Sequence, residues 1–167
     1  IKINFIIKRF ISYLFIPINY IIYIIINPKT LIIIGMHRSG TSCITRIINK
    51  NGISLGKDLI EKDEGNPNGY WENISVYHIN EKILNISQGT WQNPPKTLSD
   101  NLYIKMEIMR LIYNRDWRNP VIAIKDPRII LTFNIWKPFL KNYHILGIFR
   151  NPNSVAKSLN SRYKMEL

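Results

Sequence analysis

Leu31 to Ser42, LIIIGMHRSGTS, runs four large apolar residues into a glycine, a basic pair, a second glycine and two hydroxyls. Thr30 to Ile34, dominated by isoleucine, suits a strand buried on both faces, and the glycine after it opens a turn. From Ser42 to Lys50 the spacing becomes helical: Ile44, Ile47 and Ile48 share one stripe, and Asn51-Gly52 ends it. A buried strand that feeds a turn and a helix commits the rest of the chain to covering a sheet.

The following segments fit that frame. Gly52 to Gly69 reads as a polar loop, and Trp71 to Ile86 as a helix carried by Val76, Ile79, Ile83 and Ile86. Gln88 to Ser99, with Pro94-Pro95, is a connector, and Leu102 to Tyr113 is a helix. Val121 to Ile124 and His144 to Phe149 are predicted strands, separated by a helix over Ile129 to Leu140 with a break at Pro138. Asn151-Pro152 opens a last helix. This order predicts a three-layer α/β/α fold on a parallel sheet, with right-handed crossovers that bring all strand C-termini to one edge. Ligands bind at that edge in open α/β sheets.

Residues 1–28 form an apolar leader and residues 29–167 the globular part. Phe10 to Ile26 is apolar apart from Ser12, Pro17 and Asn19, and Lys2, Lys8 and Arg9 precede it. With a central proline it falls at or below the span a membrane helix needs, so a buried helix, an interfacial helix and a membrane span are all open. The chain starts at Ile1 and stops at Leu167 within a segment of helical character, which is the expectation for a fragment of a longer protein.

Lys and Arg outnumber Asp and Glu by 23 to 11, a formal charge of +12, which favours an anionic partner. The wealth of Ile, Asn and Lys also fits an AT-biased genome, so part of this charge is compositional. One cysteine, Cys43, excludes an internal disulfide and a multi-cysteine metal site. That leans towards a reducing compartment, the cytoplasm or its membrane surface.

Gly35 to Ser42 has the spacing of a phosphate-binding loop, but Thr41 stands where that loop carries lysine. Its glycines let successive N–H groups and the helix N-terminus face one anion, and Arg38 can restore the charge. The lysine that reaches the β- and γ-phosphates is missing, and no acidic magnesium ligand is apparent on a following strand, which disfavours ATP chemistry. A second anion site is expected at Arg150, at the end of the third strand, with Ser158 on the next helix.

GMHRSGTS, KDPR at Lys125 to Arg128 and FRNPNSVAKSL at Phe149 to Leu159 together resemble the sulfotransferases that use 3′-phosphoadenosine 5′-phosphosulfate, PAPS. NPNGYWEN, Asn66 to Asn73, resembles the segment that bacterial members of the P-loop sulfotransferase group carry after the first helix. The resemblance spans Leu31 to Leu159 and implies a P-loop NTPase-like sulfotransferase fold with PAPS as cosubstrate and no metal. Arg38, Ser39, Gly40, Thr41 and Ser42 would hold the 5′-phosphosulfate, and Arg150 and Ser158 the 3′-phosphate. The resemblance makes Glu72 the base, with Glu61, Asp63 and Glu64 as competitors in the same loop. It makes Lys125 the cation at the bridging oxygen, with Asp126 and Arg128 as an ion pair beside it. Tyr70, Trp71 and Trp136 would line an acceptor pocket or serve as core, and His37 would meet the sulfonate or pack beneath the loop. The implied acceptor is a carbohydrate or small metabolite. The competing readings are a P-loop nucleotide kinase or NTPase, and a non-catalytic relative that binds anions or membranes.

Overall fold

The computed structural model describes residues 2–63, 66–116 and 119–163. The isoleucine run forms β1 (Lys29–Ile34), the central strand of a three-stranded parallel sheet in the order β2-β1-β3. β2 spans Val121–Lys125 and β3 spans Asn142–Gly147. Lys29 lies opposite Val121 and Asn142, and Ile33 opposite Lys125 and Leu146, so the three C-terminal ends share one edge.

β1 alternates between two apolar clusters, as a strand buried on both faces must. Ile32 joins Ile124, Val76, Ile83, Ile108 and Trp136 in the larger one. Leu31 and Ile33 turn the other way, towards Leu55, Ile48, Trp71, Leu146 and Ile148. Seven α-helices are present among the described residues. α1 (Lys2–Leu14) and α2 (Ile16–Ile26) precede the sheet, and α3 (Thr41–Lys50) follows β1. α4 (Ile74–Ile86) and α5 (Leu102–Tyr113) come before β2, α6 (Ile129–Trp136) before β3, and α7 (Pro152–Tyr163) after it.

Local chemistry sets several boundaries. Asn73 and Asn101 cap α4 and α5, their side chains accepting from the N–H groups of Ser75 (3.0 Å) and Ile104 (3.2 Å). α4 therefore starts at Ile74 instead of Trp71, which sits at φ 59° outside the helix. The break expected at Pro138 is a 3₁₀ turn, Lys137–Phe139. β3 runs two residues earlier than the hydropathy suggests and leaves Phe149 93% exposed.

Trp136 is 1% exposed and donates through its indole N–H to Asn80 Oδ1 (2.8 Å), which also accepts from Thr132 (2.7 Å). It is a core residue, and the acceptor-pocket alternative for it does not hold. Trp71 is partly buried against the smaller apolar cluster and donates its indole N–H to the Asn68 carbonyl (2.8 Å).

Candidate functional site

Between β1 and α3 the chain turns within the six residues Gly35 to Gly40. A Cβ on Gly35 would come within 2.7 Å of the Ile148 carbonyl and 2.8 Å of the Thr41 methyl, so only glycine lets the loop lie this close to the end of β3. Arg38 (φ 65°) and Gly40 (φ 99°) take left-handed conformations that fold the loop back over the helix start. Gly40 caps α3 with no side-chain hydrogen bond, which leaves the first N–H groups of the helix without a side-chain acceptor. Ser39 is buried and its hydroxyl has no partner.

The tip of β3 meets this loop directly. The Arg150 guanidinium donates to the Arg38 carbonyl (3.0 Å), and Arg38 Nε donates to the Ser158 hydroxyl on α7 (2.9 Å). The two candidate anion-binding elements expected from the sequence are thus joined by two hydrogen bonds. Ser158 itself serves here as the acceptor that orients Arg38.

On the other side of the loop, β2 ends in Lys125, buried with Glu72, to whose carboxylate it donates. Lys125 Nζ also reaches the Tyr70 carbonyl (3.0 Å) and the Ser42 hydroxyl (3.2 Å). Arg128 pairs with Asp126 (3.1 Å) and Glu81, lies 3.9 Å from Glu72, and stacks over Tyr77 at 4.7 Å. The structural ion pair expected of Asp126 and Arg128 is present. Burial and the neighbouring Glu72 carboxylate push Asp126 up to about 6, against the pull of Arg128.

These elements enclose a cleft of about 580 Å³ that crosses the tips of all three strands. Arg38, Gly40, Thr41, Ser42 and Arg150 line it near β1 and β3, and Glu72 and Lys125 near β2. Tyr70, Glu61 and Asp63 also face it, whereas Ser39 and Ser158 are not among the residues that line it. Glu64 lies outside the described residues.

Ile60, Ile74, Tyr77, His78 and Arg162 line the cleft and were missed by the sequence reading. Arg162 follows Ser158 by four residues and so shares its helix face, a spacing that could have exposed it. It donates to the Tyr70 hydroxyl and lies 3.7 Å from Asp63, tying α7 to the loop that carries Glu72.

His37 lines the cleft and stacks on Trp91 with ring centroids 4.3 Å apart. Burial, then the cations of Arg128, Lys125 and Arg162, push it down to about 3. The folded chain keeps this ring neutral where the unfolded chain takes up a proton. The resulting stability is therefore complete above the ordinary value of 6.5 and falls as pH drops towards 3. The loss between pH 7 and pH 5 is expected to be about 2 kcal/mol. Asp126 acts oppositely, binding its proton in the fold before the unfolded chain does and adding stability as pH falls below about 6. The histidine contribution is therefore the difference between wild type and His37→Gln in urea unfolding at pH 5, 6 and 7. A difference that stays constant with pH would rule it out.

Comparison with family models, with curated proteins and with solved structures gave no match for this chain.

Proposed function

We propose that the cleft binds PAPS and transfers its sulfuryl group to a hydroxyl or amine of a carbohydrate or small metabolite. The finer fold reading that goes with this is a three-layer α/β/α, P-loop NTPase-like sulfotransferase domain. The observation that carries the proposal is the contact between the Arg150 guanidinium and the Arg38 carbonyl. It sets the cation at the β3 tip beside the glycine loop, where a donor with anionic groups at its 5′ and 3′ positions would engage both.

In this reading the loop amides, Arg38 and the α3 N-terminus bind the 5′-phosphosulfate, and Arg150 takes the 3′-phosphate. The acceptor oxygen attacks sulfur in line as the bond from sulfur to the bridging oxygen breaks. The leaving electron pair stays on the 5′-phosphate, where Lys125 balances it, and the acceptor proton passes to the Glu72 carboxylate. Lys125 and Glu72 are bonded to each other in the free chain. A bound donor would draw Lys125 towards the bridging oxygen and free Glu72, coupling the base to donor binding.

The test is titration of the full chain with 3′-phosphoadenosine 5′-phosphate in the presence of a chelator. The melting temperature is expected to rise, and Arg150→Ala to weaken the nucleotide by about tenfold through loss of one charge-assisted contact. Equal stabilisation by ATP with magnesium would turn the assignment towards a nucleotide kinase. Unchanged affinity in Arg150→Ala would remove its basis.

A further inference from the structure

The first 28 residues contain no Asp or Glu, and their only charged side chains are Lys2, Lys8 and Arg9. Residues 2–26 of this stretch hold α1 and α2, which meet the body of the protein along a seam. Arg9 and Tyr13 both donate to Glu107 on α5, Asn19 pairs with Asn114, and the Tyr23 hydroxyl accepts from the Lys141 N–H (2.9 Å). Away from this seam the helices present Ile6, Phe10 and Leu14 on α1 and Ile18, Ile21 and Ile25 on α2, each at least 55% exposed. The spacings i, i+4, i+8 and i, i+3, i+7 make each set a stripe along its helix. An uncovered apolar surface of this extent marks an interaction site.

We infer that this pair docks the protein on an anionic lipid surface, with both helices lying in the membrane plane. Neither helix alone is long and apolar enough to cross a bilayer, and the two are bent by 58°. A bent pair of this length passes a test on composition, but spanning would drag the Glu107 and Asn114 seam into hydrocarbon. In-plane docking keeps that seam on the protein side and buries only the apolar stripes.

Charge selects the occupant. Ile7 and Ile11 widen the exposed face of α1 beyond its stripe, and exposed Lys8 stands one turn from Ile11 at the edge of that face; with no acidic residue on either helix, anionic headgroups complement it whereas a second copy would repeat the same charge. A groove of about 620 Å³ runs between α1, α4 and α5, where Lys8 and Lys82 stand beside Asp58 and beside Arg9, whose charge Glu107 already meets. It shares Ile74 and His78 with the main cleft. The attachment does not depend on the chemistry of that cleft.

Co-sedimentation of the full chain with vesicles tests this. Binding to phosphatidylcholine mixed with phosphatidylglycerol is expected to exceed binding to phosphatidylcholine alone by about tenfold and to weaken with salt. Ile21→Glu with Ile25→Glu should abolish binding to both without lowering the melting temperature or the affinity for 3′-phosphoadenosine 5′-phosphate. A bimane label on Ile18→Cys in a Cys43→Ser background should be quenched more by shallow than by deep spin-labelled lipids. Absence of vesicle binding, unchanged binding of the glutamate variant, or deeper quenching would overturn the inference. So would a lipid-free dimer, seen by sedimentation velocity, that the glutamate variant dissociates.

Discussion

Replacing Lys125 by methionine is expected to lower the unfolding free energy by about 3–5 kcal/mol, the cost of leaving one member of a buried ion pair alone. Lys125 is 3% exposed and Glu72 5%, and they are bonded across 53 positions of sequence. Without the ammonium, the Glu72 carboxylate keeps only Arg128 at 3.9 Å, a cation already committed to Asp126 and Glu81. Glu72→Gln should cost less, about 1–2 kcal/mol, because the amide oxygen still accepts from Lys125 while Ser42 and Tyr70 hold the ammonium. The double variant should be more stable than Lys125→Met alone, since no uncompensated carboxylate remains. Urea unfolding of the four proteins gives the cycle. A Lys125→Met penalty below about 1 kcal/mol would mean that the pair is solvated in solution.

Which parts of this arrangement the sequence could reveal depends on the range of the forces involved. β1, its glycine turn and α3 are governed by neighbours in the chain, so apolar spacing alone locates them within one residue. α5 runs over Leu102–Tyr113 as expected because Asn101 supplies its cap locally. The leader was less legible. By composition the apolar segment starts at Phe10, but Ile6, Phe10 and Leu14 already form a stripe that carries α1 back to Lys2. Pro17 then sits in the first turn of α2, so it opens a second helix instead of bending a long one. Arg38 and Arg150 were visible as candidate anion ligands, each at a strand tip. The Glu72–Lys125 bond, the Arg162–Tyr70 contact and the burial of Trp136 depend on segments far apart in sequence that only the tertiary fold brings together. Composition gives a tryptophan no address, and a loop carboxylate gives no sign of the cation it will meet.

If the proposed transfer holds, Glu72→Gln should lower it by about 10²–10⁴-fold, the usual contribution of a positioned general base, while leaving nucleotide affinity close to wild type. The substitution keeps the shape of the side chain and its bond to Lys125 but removes the atom pair that accepts a proton. Glu61 and Asp63 also line the cleft, yet they are exposed, and Asp63 already accepts from the Tyr70 hydroxyl (2.6 Å). Glu72 alone among these three is buried and in contact with the lysine at the end of β2. In the proposed transfer, a base in that position would be released by the same movement that carries the lysine to the leaving oxygen, so deprotonation of the acceptor would wait for the donor to arrive. Transfer of labelled sulfate from PAPS to candidate glycans, measured alongside binding of 3′-phosphoadenosine 5′-phosphate, separates the outcomes. Wild-type turnover in Glu72→Gln with a full loss in Glu61→Gln would move the proton to the exposed loop carboxylate. The Glu72–Lys125 bond would then be a purely structural tie between the loop and β2.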